Sequence, residues 1–178
     1  MLIPILIIIL SFIIIATFVV VFFGLNMVYI NLKTLVPWVK TPLKNIPIIL
    51  DTINLPAGSL VYDLGCGDGR FLFMAEKRGL KAVGYELALY PYLKAQFNKF
   101  LQTSRVKIKR QDFLKQNLNG ADAIFIFLNA LVMEKIGLKL RKNLKPGITV
   151  VSYGIPIPGW EPLKTLETKP SLTYIYRS

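Results

Sequence analysis

The residues best suited to chemistry stand in one glycine-rich turn, residues 63–70 (DLGCGDGR). The apolar run 59–64 before it predicts a buried strand, and residues 70–78 predict a helix that stops at Gly79. Glycine lets the backbone approach a ligand closely, and a helix start offers free N–H groups. Because ligands of parallel sheets bind at the carboxyl ends of the strands, the pattern predicts a binding site at this turn.

A carboxylate, Glu86, ends the next predicted strand, residues 81–86. An acid in that position accepts hydrogen bonds from ribose hydroxyls. The dinucleotide fingerprint is G-x-G-x-x-G, with a pyrophosphate at the helix start, whereas this turn reads G-x-G-x-G with Asp63 two residues before it. An acid beside the glycines would repel a pyrophosphate and suits a cation. The residues therefore favour S-adenosylmethionine (SAM), which carries a sulfonium and an amino-acid tail, over NAD.

Structural roles for these acids remain open alternatives. Asp63 and Asp68 could only form the turn and cap the helix. Glu86 could be a solvated charge at a strand end.

The elements around the turn alternate between short apolar runs and longer amphipathic segments. This alternation predicts a Rossmann-like α/β fold with a doubly wound, mostly parallel sheet. A further short helix is expected over 43–53, and residues 154–162 (GIPIPGWEP) hold too much proline for a helix. The other predicted strands are 105–110, 123–128, 149–155 and 172–177, and the other predicted helices are 89–102 and 132–144.

The N-terminal segment carries no charge before Lys33, and residues 2–23 are long and apolar enough to span a bilayer. It lacks the basic start and small-residue cleavage site of a signal peptide. Since lysines follow this segment, the positive-inside rule puts the remainder in the cytoplasm. We expect a single-pass anchor over 1–30, a membrane-proximal linker with a short helix over 31–57 and a SAM-binding domain over 58–178.

The net charge of +12 could indicate nucleic-acid binding, but a membrane partner explains it better. Basic residues near a bilayer favour its anionic cytoplasmic leaflet. Within 105–110, basic residues alternate with apolar ones, as lysines do on edge strands that resist aggregation. There is no histidine and Cys66 is the only cysteine, which excludes a disulfide within the chain and argues against a zinc site.

The stretch YDLGCGDGR resembles motif I of class I SAM-dependent methyltransferases. More narrowly, the chain resembles the small membrane-anchored protein-lysine methyltransferase family that includes the ATP synthase c-subunit lysine methyltransferase. The likeness covers nearly the whole chain. It rests on the apolar N-terminus, residues 36–47 with Thr41-Pro42, GSLVYDLGCGDGR (58–70), KRGLKAVGYEL (77–87), Asp112-Phe113 and IPIPGWEP (155–162).

The resemblance implies roles for individual residues. Glu86 would bind the ribose, Asp112 would lie at the adenine amino group and Phe113 against its ring. Asn129 would lie near the substrate or only cap the following helix, and Thr41 and Trp160 would shape a lysine channel or merely pack. The methionine half of SAM would be lined by Asp63, Gly65, Gly67 and Gly69, with Cys66 and Leu87 completing the cofactor-binding set.

The expected reaction is direct displacement, in which a neutral lysine amine of a protein at or in the membrane takes the SAM methyl. The enzyme mainly positions the two reactants. No residue is an obvious general base. Two alternatives stay open: a methyltransferase for a lipid or quinone, and a non-catalytic SAM- or nucleotide-sensing membrane protein.

Overall fold

The computed structural model describes residues 2–34 and 39–178, with side chains from 2–29 and 39–178. Residues 35–38 of the expected linker lie outside this part. The chain begins with one long helix, α1 (Leu2–Thr34), whose apolar side chains are largely exposed as far as Tyr29. By length and composition, Leu2–Tyr29 is a helix that could cross a membrane.

A seven-stranded sheet in the order β3-β2-β1-β4-β5-β7-β6 forms the centre of the remaining chain. The first five strands in this order run parallel, and β7 runs antiparallel to both of its neighbours. The strands are β1 (Leu60–Leu64), β2 (Lys81–Tyr85), β3 (Lys107–Lys109), β4 (Ala123–Ile126), β5 (Thr149–Tyr153), β6 (Lys164–Thr168) and β7 (Ser171–Arg177). The Rossmann-like, mostly parallel α/β fold expected from the sequence is confirmed.

Helices cover both faces of the sheet. One face is covered by α2 (Asn45–Ile53), α3 (Arg70–Lys77) and α4 (Leu89–Leu101), and the other by α5 (Ala130–Asn143). A one-turn 3-10 helix, Phe113–Lys115, follows β3. The expected helix over 43–53 is therefore part of the domain core, because Ile46, Ile49 and Leu50 are buried in it.

The strand β6 is absent from the sequence-based expectation, and β3 is shorter than the expected 105–110. Both are edge strands, which pair with one neighbour only. In β6 only Thr168 is buried, so its sequence lacks the apolar pattern that indicates a strand. On β3, Ile108 is buried and Lys107 and Lys109 point to solvent, as expected for a protected edge.

Candidate active site

The turn between β1 and α3 requires glycine at each of its three glycine positions. Gly65 and Gly69 have φ of +82° and Gly67 has φ of +56°, in the region that other residues rarely adopt. Space adds a second requirement. A Cβ on Gly65 would lie 2.9 Å from the Leu128 side chain, and one on Gly69 would lie 2.9 Å from the Phe73 ring. The turn thus brings bare backbone to the carboxyl end of the sheet.

Gly84 on β2 lies beneath the glycine turn and leaves room for its side chains. The sequence analysis assigned Gly84 no role. It pairs with Asp63 of β1 in the sheet. A Cβ on Gly84 would lie 2.5 Å from Cys66 Sγ and 2.6 Å from Leu72 Cδ1. Cys66 can therefore fold down onto β2 only because residue 84 has no side chain.

The carboxylate of Glu86 is held by the backbone. Its Oε2 accepts a hydrogen bond from the Gly67 N–H at 3.0 Å and its Oε1 accepts one from Ala88 N–H at 2.8 Å. Each oxygen keeps a lone pair for a further donor. Glu86 therefore links the glycine turn to the end of β2, and its role goes beyond that of a solvated strand-end charge.

Three carboxylates surround the turn, and their charges oppose one another. Asp63 is 3% exposed, and its pKa is raised well above the usual range by burial, and further by Glu86 and Asp68. Burial also raises the pKa of Glu86, although its backbone hydrogen bonds lower it in part. A cation bound here would offset both burial and repulsion. Within the described residues, no cluster of three His, Cys, Asp or Glu side chains is placed to hold a metal ion.

Asp68 has a cation partner of its own. Arg70 Nε and an Arg70 terminal nitrogen donate to its two oxygens at 2.9 and 2.7 Å, and Lys40 Nζ lies 3.9 Å away. Asp68 is buried, yet hydrogen bonding and attraction to Arg70 outweigh that burial and lower its pKa. The helix after the turn is capped by Gly69 without a side-chain bond, so Asp68 is no helix cap.

Arg70 also ties the segment before α2 to the turn. Its second terminal nitrogen donates to the Thr41 carbonyl at 3.0 Å. Thr41 is buried, and residues 39–41 together lie beside the glycine turn at the carboxyl end of the sheet. Sequence reasoning missed this tether, because a single arginine at a helix start signals nothing about a segment far from it in the chain.

A narrow cavity of about 20 Å³ lies between this segment and the glycine turn. Its apolar wall is aromatic, and the rings belong to the core: Phe71 stacks on Phe125 at 4.1 Å, and Phe127 packs edge-on against Tyr153 at 4.8 Å. The lining residues are Val39, Lys40, Thr41, Asp63, Gly65, Cys66, Gly67, Asp68, Arg70, Phe71, Phe125 and Phe127. The sequence analysis also did not assign Phe127 to the site, because an aromatic residue after an apolar strand is typical of the buried core.

The remaining cofactor candidates lie at neighbouring strand ends. Burial, and then the nearby Asp63 charge, raise the pKa of the Cys66 thiol, which is therefore neutral and unreactive. Asp112 follows β3 and caps the 3-10 helix, since its Oδ1 accepts the Leu114 N–H at 2.9 Å. Lys139 of α5 donates to the Leu114 carbonyl at 2.6 Å and so holds the Asp112-Phe113 loop in place.

The three residues predicted near the substrate are not brought together. Thr41 lines the cavity. Asn129 caps α5, because its side-chain oxygen accepts the Val132 N–H at 3.0 Å. Trp160 packs on Tyr176 at 5.9 Å within the core on the opposite face of the sheet, and its expected part in a lysine channel stays a prediction. Proline and glycine around Trp160 turn the chain towards α5 rather than over the glycine turn.

A seven-stranded sheet of this order, with a glycine turn after β1 and a backbone-held carboxylate after β2, is the arrangement expected of a class I methyltransferase and its cofactor site. Solved structures agree. An RNA methyltransferase from Salinibacter ruber in complex with S-adenosyl-L-homocysteine superposes with a TM-score of 0.74 and 26% identity, covering 78% of this chain and 93% of that one. A ribosomal protein L11 methylase from Lactobacillus delbrueckii shares the fold, with a TM-score of 0.66 over 79% and 81% of the two chains at 15% identity.

The family model of the ANTKMT methyltransferase domain matches residues 63–164, and the chain belongs to this family. A protein-lysine N-methyltransferase of Saccharolobus islandicus is 36% identical over 75% of this chain and 86% of its own length. The adenine nucleotide translocase lysine N-methyltransferase of mouse is 31% identical over 75% of this chain, and the human ATP synthase c-subunit lysine N-methyltransferase is 29% identical over 73%. The chain spans only 59% and 56% of these two mammalian relatives.

The protein is therefore a methyltransferase with SAM as its cofactor. The residues present fit SAM. A turn with three glycines at positive φ allows close approach to the backbone, and a sulfonium and an ammonium would stabilise the charged forms of the buried Asp63 and Glu86 carboxyls.

Proposed function

We propose that the protein methylates lysine side chains of a protein at or in the membrane to which α1 anchors it. The observation that carries the proposal is the cofactor site at the glycine turn, in a chain that is 36% identical to a protein-lysine N-methyltransferase. The cavity beside the turn shares Asp63, Gly65 and Gly67 with that site, and its aromatic wall offers apolar contacts to the methylene chain of a lysine. The names of the curated relatives support the same substrate.

When bound, SAM supplies an electrophilic methyl on a sulfonium. The lysine nitrogen forms its new bond to carbon as the sulfur–carbon bond breaks, and S-adenosylhomocysteine leaves. Asp63 and the glycines would hold the methionine half, and Glu86 would accept from the ribose. Asp112 would accept from the adenine amino group with Phe113 against the ring, and Cys66 and Leu87 would add contacts along the cofactor.

The lysine must be neutral to attack, and the cavity favours that state. Aromatic rings from Phe71, Phe125 and Phe127 exclude water, and burial lowers the pKa of an ammonium. Arg70 offsets the charge of Asp68, which also lines this cavity, and bound SAM would offset that of Asp63. Phenylalanine cannot accept a proton, so the proton leaves through water. Thr41 would position the amine, and Asn129 would act only through its cap on α5.

The membrane placement rests on α1 and on charge. Leu2–Tyr29 is apolar enough to span, and Lys40 and Lys44 follow it within the described residues. By the positive-inside rule the methyltransferase domain faces the cytoplasm, where SAM is available. A lysine near the bilayer surface is then within reach of the cavity.

A lipid- or quinone-methylating enzyme would transfer the methyl group to the lipid fraction, and a non-catalytic sensor would bind SAM without any transfer. The test is transfer from labelled SAM to membranes of cells that lack the protein, followed by separation of protein, lipid and soluble fractions. Label in membrane protein is the expected result. Label in the lipid extract, or equal label in soluble proteins, would overturn the proposal.

A further inference from the structure

One face of α4 carries large apolar side chains that the domain does not cover. Tyr90 and Leu93 are about two-fifths exposed, whereas Phe97, Phe100 and Leu101 are 60%, 79% and 63% exposed. At 3.6 residues per turn these five positions form a stripe about 100° wide, hereafter the α4 stripe. Single exposed apolar residues are common on protein surfaces, but a continuous aromatic stripe indicates a partner.

The opposite face of α4 already packs on the domain. Pro91 and Ala95 are buried, with Ala95 fully buried in the core shared with α3. The helix is therefore apolar on two faces, and only one of them is needed for folding. The other face is available to a partner outside the domain.

The contact between α1 and α4 places the stripe at a defined depth. The Phe23 ring packs edge-on against the Tyr90 ring with 6.4 Å between centroids. Phe23 lies six residues before Tyr29, the end of the apolar segment, which is about 9 Å along a helix. A hydrocarbon core takes roughly 20 residues of a helix, so the last residues of this segment reach the headgroup region. Tyr90 is therefore at headgroup level when α1 spans.

The chain segment that carries the stripe is basic. Residues 87–111, which include all of α4 and β3, contain no acid. Lys94 neighbours the stripe on α4, and β3 beside it exposes Lys107 and Lys109. Aromatic residues flanked by lysines are typical of elements that lie in the interface of an anionic leaflet. The six basic residues are Lys94, Lys99, Arg105, Lys107, Lys109 and Arg110.

We propose that the α4 stripe lies on the anionic bilayer surface and forms a second membrane contact beside α1. The inference rests on the membrane placement proposed above, and it does not depend on the methylated residue. Because α4 follows directly after Glu86 at the carboxyl end of β2, this contact holds the glycine turn and its cavity close to the bilayer surface. Substrates whose lysine lies close to the headgroups are then favoured over those with distant lysines.

The test uses the full chain in vesicles of phosphatidylcholine and phosphatidylglycerol, with bromine atoms high on the acyl chains as quenchers. F97W places a fluorophore on the stripe. L138W is the matched control, because Leu138 is equally exposed, at 65%, on α5 across the sheet. The expected result is loss of most of the emission that F97W adds over the unaltered protein, with no loss for L138W.

Equal quenching of F97W and L138W, or of neither, would overturn the proposal. An F97W signal that is shielded from bromine and changes with protein concentration would do so as well, since a second copy would then cover the stripe. Methyl-lysine formation by the same F97W chain, added with labelled SAM to membranes of cells that lack the protein, separates this proposal from the function. Quenching of F97W without methyl-lysine formation would support the membrane contact and contradict the lysine substrate. Methyl-lysine formation without quenching would support the lysine substrate and contradict the membrane contact.

Discussion

At the scale of single residues, the site is defined by two carboxyl groups whose charged forms are destabilised by burial. Asp63 and Glu86 are both largely buried, and the charge of Glu86 raises the pKa of Asp63 further. Neither has an ion-pair partner among the described residues, unlike Asp68 with Arg70. Such an arrangement destabilises the free protein and favours a cationic ligand. The same carboxylates that weaken the fold therefore account for the preference for SAM.

Asp63→Asn separates these two effects. Loss of a charged acceptor in a buried site should weaken SAM binding about 10- to 100-fold, and calorimetry can measure this. The thermal midpoint of the free protein at neutral pH should rise, because the amide removes the repulsion. Asp51→Asn is the matched control, since Asp51 is exposed and pairs with Arg78 away from the turn. A lower midpoint for Asp63→Asn would contradict this account.

The pH dependence follows from the same shifts. An unfolded carboxyl titrates near 3.9, whereas Asp63 and Glu86 keep their protons to higher pH in the folded protein. With respect to these two groups, the free energy of unfolding of the free protein should therefore be greatest below about pH 4. It should decrease as the pH rises through the raised pKa values of the two carboxyls. SAM binding should strengthen over the same range. Thermal melts across pH, with and without SAM, measure both, and a flat profile for the free protein would contradict the prediction.

Gly84→Ala tests the packing beneath the turn. The added Cβ would meet Cys66 Sγ at 2.5 Å and Leu72 Cδ1 at 2.6 Å, so buried atoms must move. We expect a loss of about 1–3 kcal/mol in the free energy of unfolding, together with weaker SAM binding. Gly120→Ala is the comparison, because its Cβ would meet a single side chain, at the Tyr62 hydroxyl 3.0 Å away. Similar losses for both variants in chemical denaturation would refute the explanation.

The glycine turn and Glu86 could be predicted from the sequence, because both the residue types and their spacing are local. Gly84, Arg70 and Phe127 could not. Their roles depend on which residues lie across the sheet or across a tether, and a single sequence gives no distance between them. The packing of Trp160 on Tyr176 could not be predicted for the same reason, since a proline-rich segment does not reveal which face of the sheet it follows.

At the scale of elements, Arg70 connects the start of α3 to the segment before α2. It pairs with Asp68 and donates to the Thr41 carbonyl, and so closes one side of the cavity. Arg78 at the other end of α3 binds α2 in a similar way, through the Pro47 carbonyl at 3.1 Å and the Asp51 carboxylate. Of these two tethers, the one made by Arg70 borders the site.

Arg70→Met should release residues 39–41 and leave Asp68 without its main partner. We expect about a tenfold loss in kcat/KM for the protein substrate, mostly through KM, since one or two charged hydrogen bonds are lost. Arg78→Met should change little, because an exposed ion pair contributes about 0–1 kcal/mol. Steady-state kinetics on the labelled membrane fraction measures both. Equal effects of the two variants would show that the tether at the cavity has no special role.

Most helices and strands could be predicted from periodicity, and their ends shifted by only a few residues. The buried strands are easy because they are continuously apolar, as in β4 (Ala123–Ile126). The edge strand β6 escaped because its backbone pairing with β7, rather than its side chains, holds it in place. The position of α2 within the core also depends on tertiary contacts, since Asn45 donates to Tyr153 and to the Thr168 carbonyl.

At the scale of the whole molecule, α1 and the methyltransferase domain meet through α4. The buried core of the domain contains no residue of α1 among those described, and the side chains of α1 are largely exposed. We therefore propose that α1 locates the protein at a membrane and that the domain folds without it. Ile9→Arg combined with Ile13→Arg tests this. Each arginine at the centre of a span costs roughly 2.5–3.5 kcal/mol on insertion scales. The double-arginine variant should no longer be recovered in the membrane fraction that resists alkali extraction, but its SAM affinity should be unchanged. Ile9→Leu with Ile13→Leu should behave as the unaltered chain does, and retention of the arginine variant in that fraction would contradict the span.

The most direct test of the central claim is amino-acid analysis, after acid hydrolysis, of membrane protein labelled from SAM. A parallel sample contains the Glu86→Ala variant, which lacks both backbone links of that carboxylate. The account predicts labelled methyl-lysine with the intact protein and almost none with the variant. Label on another amino acid, or methyl-lysine at the same level with Glu86→Ala, would contradict it.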